Sequence, residues 1–390
     1  MAEAYIIAAT RTAGGRRNGA LAGWHPADLG GKILDALVEK SKVDPAAIED
    51  VILGCVSQVA EQSFHIGRNA VLASSLPDSV PAVSIDRQCG SSQQALQFAA
   101  QAVMSGTQDI VIAAGIESMS RVPMMSPTKL GQDAGLGTPF SAKIRDRYGV
   151  AQFSQFDGAE LMAKKYGFSR QELDEYALES HRRASKATRE KAFREEILPI
   201  EIVDASGQVK LHIEDEGIRH DASMESIGSV KLLREGGVIT AANASQICDG
   251  ASGVIVASER AVKEHGLKPL ARIHSLHVSA GDPVIMLEEP IPATKRALKK
   301  AGMKIGDVDL YEVNEAFAPV PLAWLRELEA DSEKLNAYGG GISLGHPLGA
   351  SGTKLMTTLV HALHRSGKRF GLQTMCEAGG IANVTIVERV

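Results

Sequence analysis

The stretch PAVSIDRQCGSSQQALQFAAQAVMSGTQDIVIAAG, residues 81–115, constrains the fold more than any other part of the chain. Pro81 to Asp86 reads as a short, largely apolar strand. From Ala95 the apolar residues Ala95, Leu96, Phe98, Ala99, Ala102 and Val103 recur at helical spacing, Gly106 closes the helix, and Asp109 to Ala114 forms a second apolar strand. At the hinge of this strand–turn–helix unit sits Cys89, followed by Gly90 and two serines. A thiol at a helix N-terminus feels unpaired backbone N–H groups and the positive end of the dipole, and both favour the thiolate that attacks carbonyls. The alternative is a buried structural cysteine, a common fate for a free thiol.

The same alternation runs through the chain. Strands at Tyr5–Ala9 and Val51–Leu53 and helices near 27–40 and 67–74 precede the Cys89 unit, which predicts an α/β protein with a mostly parallel sheet. From Ser118 to about Ala241 the chain is richer in charge, Met and loops, with one clear helix near 170–186. Gly250–Ser258 is again a buried strand. A strand at 272–278, a helix at 293–301, a strand at 308–313, a helix at 319–329, a glycine-rich turn, a helix at 352–365 and a strand at 371–375 then repeat the opening pattern. Cys89 precedes Gly115 by 26 positions and Gly349 precedes Met375 by 26, as duplicated halves would require. At 390 residues the chain exceeds one ordinary core. The expected division is an N-terminal half, 1–118, completed by about 249–268; an inserted loop region, 119–248; and a C-terminal half, 269–390.

A net charge of −5 argues against general affinity for nucleic acid or anionic membranes. No apolar run reaches transmembrane length. The four cysteines, at 55, 89, 248 and 376, form no CxxC pair and no metal-ligand spacing, so a reduced, cytoplasmic protein without a metal is expected. The first strand begins almost at Met1, so no leader peptide is expected.

Three further segments carry chemistry. GGGISLGHPLGASG, residues 339–352, holds six glycines around His346, and a histidine on such a turn before a helix is a general-base candidate. The turn lacks the order of a P-loop and follows no dinucleotide fingerprint. TMCEAGGIANVTIVERV sets Cys376 directly after an apolar strand, where a thiol can transfer a proton and the following turn can offer N–H groups to an oxyanion. YEVNEAFAP puts Asn314 just past a strand, with Glu315 either a base or a structural carboxylate. AANASQICDGASG can line a narrow channel, with Ser245 bonding an amide, and Arg219 and His220 in EGIRHDASM can meet phosphates. Cys55 and Cys248 read as small core residues.

Taken together, AATRT, DRQCGSSQQAL, GIESMSRVP, NASQICDGA, NEAFA, GGGISLGHPLGASG and the CxxGG stretch resemble the thiolase family, in the family's order and along essentially the whole chain. The resemblance implies two βαβαβ halves forming a five-layer αβαβα core with an inserted loop domain. It implies cleavage of 3-ketoacyl-CoA by CoA, or the reverse condensation, through an acyl-cysteine and ping-pong kinetics, with no cofactor beyond CoA as substrate. Cys89 would be the nucleophile, His346 its base and Cys376 the second acid/base. Asn314 and His346 would serve one oxyanion hole, and the N–H groups of Cys89 and Ala378 the other. Ala241, Ser245, Ala316 and Phe317 would line the pantetheine channel, with Arg219 near the nucleotide. A homodimer or homotetramer is expected.

Two departures stand out. The family's common CxGGG is here Cys376-Glu377-Ala378-Gly379-Gly380. Ala378 suits an N–H donor if its φ is negative, and an inward Glu377 would raise the thiol pKa. The stretch QFSQF, residues 152–156, replaces a His-Met-Gly stretch of short-chain acetoacetyl-CoA thiolases and points to a bulkier, branched or steroid-side-chain substrate. The alternatives are a biosynthetic acetoacetyl-CoA thiolase, a ketoacyl or hydroxymethylglutaryl-CoA synthase, and a non-catalytic acyl-CoA-binding subunit. Cys376 argues against the synthases, and the intact four-residue set against the binder.

Overall fold

The computed structural model describes residues 3–204 and 206–390. In chain order its main elements are β1 (Ala4–Thr12), α1 (Pro26–Ser41), β2 (Asp50–Gly54), α2 (Ile66–Leu72), β3 (Ala82–Ile85), α3 (Ser91–Ser105), β4 (Ile110–Ser118), α4 (Gln155–Tyr166), α5 (Arg170–Arg189), β5 (Cys248–Ser258), β6 (Ala271–Ala280), α6 (Pro290–Ala301), β7 (Leu310–Val313), α7 (Pro319–Leu328), α8 (Ser351–Ser366), β8 (Phe370–Glu377) and β9 (Ile381–Arg389). Local chemistry sets many boundaries. α1 starts on Pro26 with the His25 side chain accepting from the Ala27 N–H, and α3 stops at Gly106, whose φ is +76°. α5 opens on a Ser169–Glu172 capping box.

The strands follow one another across the sheet as β7-β8-β9-β6-β1-β5-β4-β2-β3. The first and second halves meet where Tyr5 and Ile6 of β1 face Arg272 and Ala271 of β6. Side chains alternate along β4 between two cores. Ile110, Ile112, Ala114 and Ile116 pack outward with Ile33, Leu34 and Leu37 of α1. Val111 and Ala113 pack inward with Leu96 and Ala99 of α3 and with Met356 and Leu359 of α8. Burial on both faces is why this strand reads as an uninterrupted apolar run. On the far side Ala293, Ala297 and Leu298 of α6 join Leu372, Val384 and Ile386. The result is a five-layer αβαβα stack with α3 and α8 in the middle layer. Glycine lets these two helices meet, since a methyl group at Gly352 would overlap the Gln93 backbone nitrogen.

The sheet is mixed rather than mostly parallel. β3-β2, β2-β4 and β7-β8 are parallel pairs, while β4-β5, β5-β1, β6-β9 and β9-β8 are antiparallel. The cause lies in the connections. Only three residues, 378–380, separate β8 from β9, and a link that short can only reverse the chain. β9 itself was hidden behind its small residues Ala382 and Asn383. Cys376 therefore lies within β8, as its penultimate residue, rather than after it. The region after β4 is also more regular than one helix. It adds α4, short helices at Ser126–Asp133, Ala142–Tyr148 and Met224–Gly228, and a hairpin of Ile200–Val203 with Val209–His212.

That region is tied to the core through Arg11 on β1. Its guanidinium is wholly buried, donates from Nε to Glu196 at 2.7 Å and grips Asp215 at 2.8 and 3.1 Å. Phe193 stacks over it at 5.0 Å. Arg11→Met leaves two buried carboxylates without their cation, so unfolding free energy is expected to fall by about 3–5 kcal/mol, read by urea denaturation. An unchanged midpoint would show that the network adds nothing to stability.

Candidate active site

Cys89 ends the turn after β3 and immediately precedes Gly90, the N-cap of α3. The residue is 8% exposed. Burial pushes its pKa up to about 12, with Glu377 adding to the rise, and the helix start does not offset this. The pull of the helix start toward the thiolate is thus outweighed by desolvation, which favours the neutral thiol.

His346 sits on the glycine turn before α8, buried, with its N–H donating to the Gln246 carbonyl at 3.0 Å. Gly345 just before it has φ +79°, and a methyl group there would meet Cys248 Sγ at 2.6 Å. Nδ1 pairs with Ser351 Oγ at 2.5 Å, and that hydroxyl donates its own proton to the Pro347 carbonyl at 2.8 Å. Ser351 can therefore only accept from the ring, which places the imidazole proton on Nδ1 and the lone pair on Nε2. Nε2 faces Asn314 Nδ2 at 3.4 Å. Burial, reinforced by the Lys354 charge, lowers the His346 pKa to about 3. Lys354 also donates to the carbonyls of Leu344 and Gly345 at 2.5 and 2.9 Å and so holds the turn from behind.

Cys376 is buried, and its pKa is raised well above the ordinary value by burial first, then by Cys89 and Glu377. The two thiols are thus electrostatic neighbours. The turn after them uses φ of +93° at Gly379 and +77° at Gly380, whereas Ala378 is free of that strain. Among the described residues, neither the Cys89 nor the Ala378 N–H donates to a protein acceptor. Glu377 points inward against Gly90 and is itself raised to about 8 by burial.

Asn314 is buried beside His346, and its backbone N–H donates to the Thr374 carbonyl at 3.0 Å, tying it to β8. Glu315 is clamped by Tyr176, Ser180, Asn336 and the Ile342 N–H at 2.7–3.1 Å, which makes it a brace for the glycine turn. The Ser245 N–H donates to the Ala316 carbonyl at 2.9 Å, and Ala244 bridges Phe317, so NASQ and NEAFA lie side by side. Ala316 and Phe317 are buried, Ser245 is half-buried and Ala241 is exposed. Arg219 is exposed near His181, His220 and Arg189. Cys55 and Cys248 are buried, free thiols. The sequence reading missed Ser351 and Lys354. Their signal is present: a hydroxyl and a cation five and eight residues after His346, on the first turn of the next helix. Among the described residues, no cluster of His, Cys, Asp and Glu is built to hold a metal, and no helix is long and apolar enough to cross a membrane.

A family model for the thiolase N-terminal domain matches residues 4–260, and one for the thiolase C-terminal domain matches 267–389. The chain belongs to the thiolase family. It is 52% identical, over all of its length and 95% of the relative, to the steroid 3-ketoacyl-CoA thiolase FadA6 of Mycobacterium tuberculosis. It is 40% identical, over the full length of both, to the 3-ketoacyl-CoA thiolase of Aliivibrio fischeri. Among solved structures, human mitochondrial 3-ketoacyl-CoA thiolase superposes with a TM-score of 0.89 at 35% identity, and the acetyl-CoA acetyltransferase of Bacillus anthracis with 0.91 at 34%. Each comparison covers 100% of this chain and 99% of the other. The protein is an acyltransferase.

The Ser351 contact makes a prediction. Nitrogen NMR is expected to show His346 as a single neutral tautomer with the proton on Nδ1, persisting well below the usual histidine range. Ser351→Ala is expected to give a mixture of tautomers. A charged ring at neutral pH would refute this arrangement.

Proposed function

We propose that the chain cleaves 3-ketoacyl-CoA thioesters with CoA, or runs the reverse Claisen condensation, through an acyl-Cys89 intermediate. The observation that carries this reading is a pair of buried thiols from different halves, Cys89 on the turn before α3 and Cys376 near the end of β8, with a neutral imidazole whose lone pair is oriented by Ser351. His346 Nε2 accepts the Cys89 proton as sulfur attacks the keto carbon. The free N–H groups of Cys89 and Ala378 face the oxyanion that forms at the attacked keto carbonyl, and Asn314 and His346 face the enolate oxygen of the departing acetyl-CoA. Cys376 protonates the departing acetyl-CoA carbanion; CoA then gives its thiol proton to Cys376 and takes the acyl group, while His346 returns its proton to the Cys89 sulfur. Atoms balance across the two half-reactions without an added cofactor.

CoA would run along the surface that the NASQ and NEAFA segments form together, past Ala241, Ser245, Ala316 and Phe317, with its phosphates toward Arg219. The paired backbones of these segments support that path. A bulky acyl group is favoured over acetoacetyl, which sets aside the biosynthetic alternative. In the QFSQF stretch Phe153 packs edge-on against Phe140 and Tyr148, and Phe156 against Phe317. This aromatic cluster, in contact with Phe317, supports a large apolar substrate, and the resemblance to a relative named as a steroid 3-ketoacyl-CoA thiolase points the same way. The protein works as a cytoplasmic homodimer or homotetramer. Support for the assembly comes from β3, the outer strand of the sheet, where Val83 is exposed, and from Phe64 before α2, which is 90% exposed. The segments 1–118 with about 249–268, 119–248, and 269–390 act as the two halves and the inserted domain.

Incubation with acetyl-CoA is expected to add one acetyl group by intact mass, lost in Cys89→Ala. Cys376→Ala is expected to keep the adduct while condensation falls by about 10²–10⁴-fold, the usual worth of an acid/base group. No adduct in the wild type would end the catalytic reading. Thiolysis rates across acetoacetyl-, long-chain, branched and steroidal 3-ketoacyl-CoA are expected to favour the bulky thioesters, and a preference for acetoacetyl-CoA would reverse the substrate assignment. A monomer by light scattering would overturn the assembly.

A further inference from the structure

The two halves carry a glutamate at matching points. Ile110 of β4 faces Ala257 of β5, and Phe370 of β8 faces Glu388 of β9, so Glu117 and Glu377 fall at the same register near the ends of equivalent strands. Each side chain reaches the turn that starts the other half's central helix. A methyl group at Gly349 would lie 2.8 Å from Glu117 Oε2, and one at Gly90 would overlap Glu377 Oε1.

The likeness stops at the carboxyl. Glu117 accepts from the N–H groups of Val56, Ser57 and Gly349 at 2.9, 3.0 and 2.8 Å, and from Gln62 Nε2 at 3.0 Å. It is a clamp between the two halves. Glu377 is 0% exposed and neither of its oxygens makes a hydrogen bond. Burial disfavours the carboxylate more than the nearby Arg87 charge and the Asn383 N–H favour it, so the side chain rests as the neutral acid. As a clamp it contributes nothing, and a methionine would fill the same space. What distinguishes it from an apolar residue is the charge it can acquire directly beneath Cys89.

We propose that Glu377 is a positioning residue for Cys89: neutral, it fills the space under Gly90 and leaves the nucleophile free to react, and when it loses its proton to solvent its charge suppresses thiolate formation at both cysteines. The proposal rests on Cys89 being the nucleophile. The groups that face it are few. Cys376 adjoins it on β8, and the turn before α3 brings Cys89 and Arg87, whose charge favours ionisation. β9 brings Asn383, which does not titrate but whose N–H also favours ionisation. Asp86 from that turn and Glu117 from β4 act on Cys89 alongside Glu377. Burial outweighs Arg87 and Asn383 and sets the ionisation of Glu377 at about 8, so the suppression is absent below that pH and grows above it.

Carbamidomethylation of Cys89 by iodoacetamide, followed by peptide mass from neutral to alkaline pH, tests this in the wild type, Glu377→Gln and Glu377→Met. All three rates are expected to coincide below about 8. Above that pH the wild type should fall behind both variants by about tenfold, one pKa unit of coupling. Curves that coincide throughout, or that differ by one constant factor at every pH, would overturn the proposal, because a purely structural role moves the rate without bending the profile. Two neutral variants of different shape guard against one failing to fold. Alkylation reads the thiol and not acyl transfer, so a missing acetyl adduct would fail the functional reading alone.

Discussion

A buried guanidinium holds the parts of this site together. Arg11 lies on β1, where the two halves of the sheet meet, and its charge is matched by Glu196 and Asp215 from the region between β4 and β5. Asp215 lies 3.9 Å from Lys354 Nζ, and Lys354 donates to the two carbonyls that precede His346. Burial alone would push the Asp215 carboxyl up, yet Arg11 and Lys354 hold it below its ordinary range. Ionic groups in such a place cost desolvation that apolar packing would not. The network carries something that packing cannot supply, a fixed path from the central strand to the backbone of the histidine turn.

The same economy of geometry explains how thiol and imidazole come from residues 257 positions apart in the chain. Cys89 and His346 sit on the turns before α3 and α8, and those helices share the middle layer. The glycines between them set the distance. A methyl group at Gly349 would meet the Cys55 backbone at 2.6 Å, and one at Gly115 would overlap the Gly349 carbonyl. Where two halves interlock this closely, a residue at the end of a strand in one half touches the helix start of the other. Cys376 and Glu377 reach Cys89 by that route.

The parts legible in the sequence are those whose signal is local. The β4 run IVIAAG is readable because both of its faces are buried, and the α3 spacing because one helix face packs on a sheet. Cys89, His346 and Cys376 stand out by their glycine and strand context. What the sequence hides is set by three-dimensional surroundings. The direction of β9 depends on a turn that bends through Gly379 and Gly380. The role of Ser351 depends on a hydroxyl whose own proton is already spent on Pro347. The resting state of Cys89 depends on burial and on a carboxyl from the other half, neither of which a helix-start rule can see.

That resting state has a mechanistic consequence. A stable thiolate–imidazolium pair requires a thiol more acidic than the imidazolium, and here burial drives the two apart, Cys89 up to about 12 and His346 down to about 3. Charge separation before attack is therefore disfavoured on both sides. On the roles proposed above, sulfur would lose its proton as the carbonyl oxygen gains charge and the N–H groups of Cys89 and Ala378 close on it. On that reading the substrate itself would make the nucleophile reactive, and the backbone N–H groups of Cys89 and Ala378 would matter as much as the base.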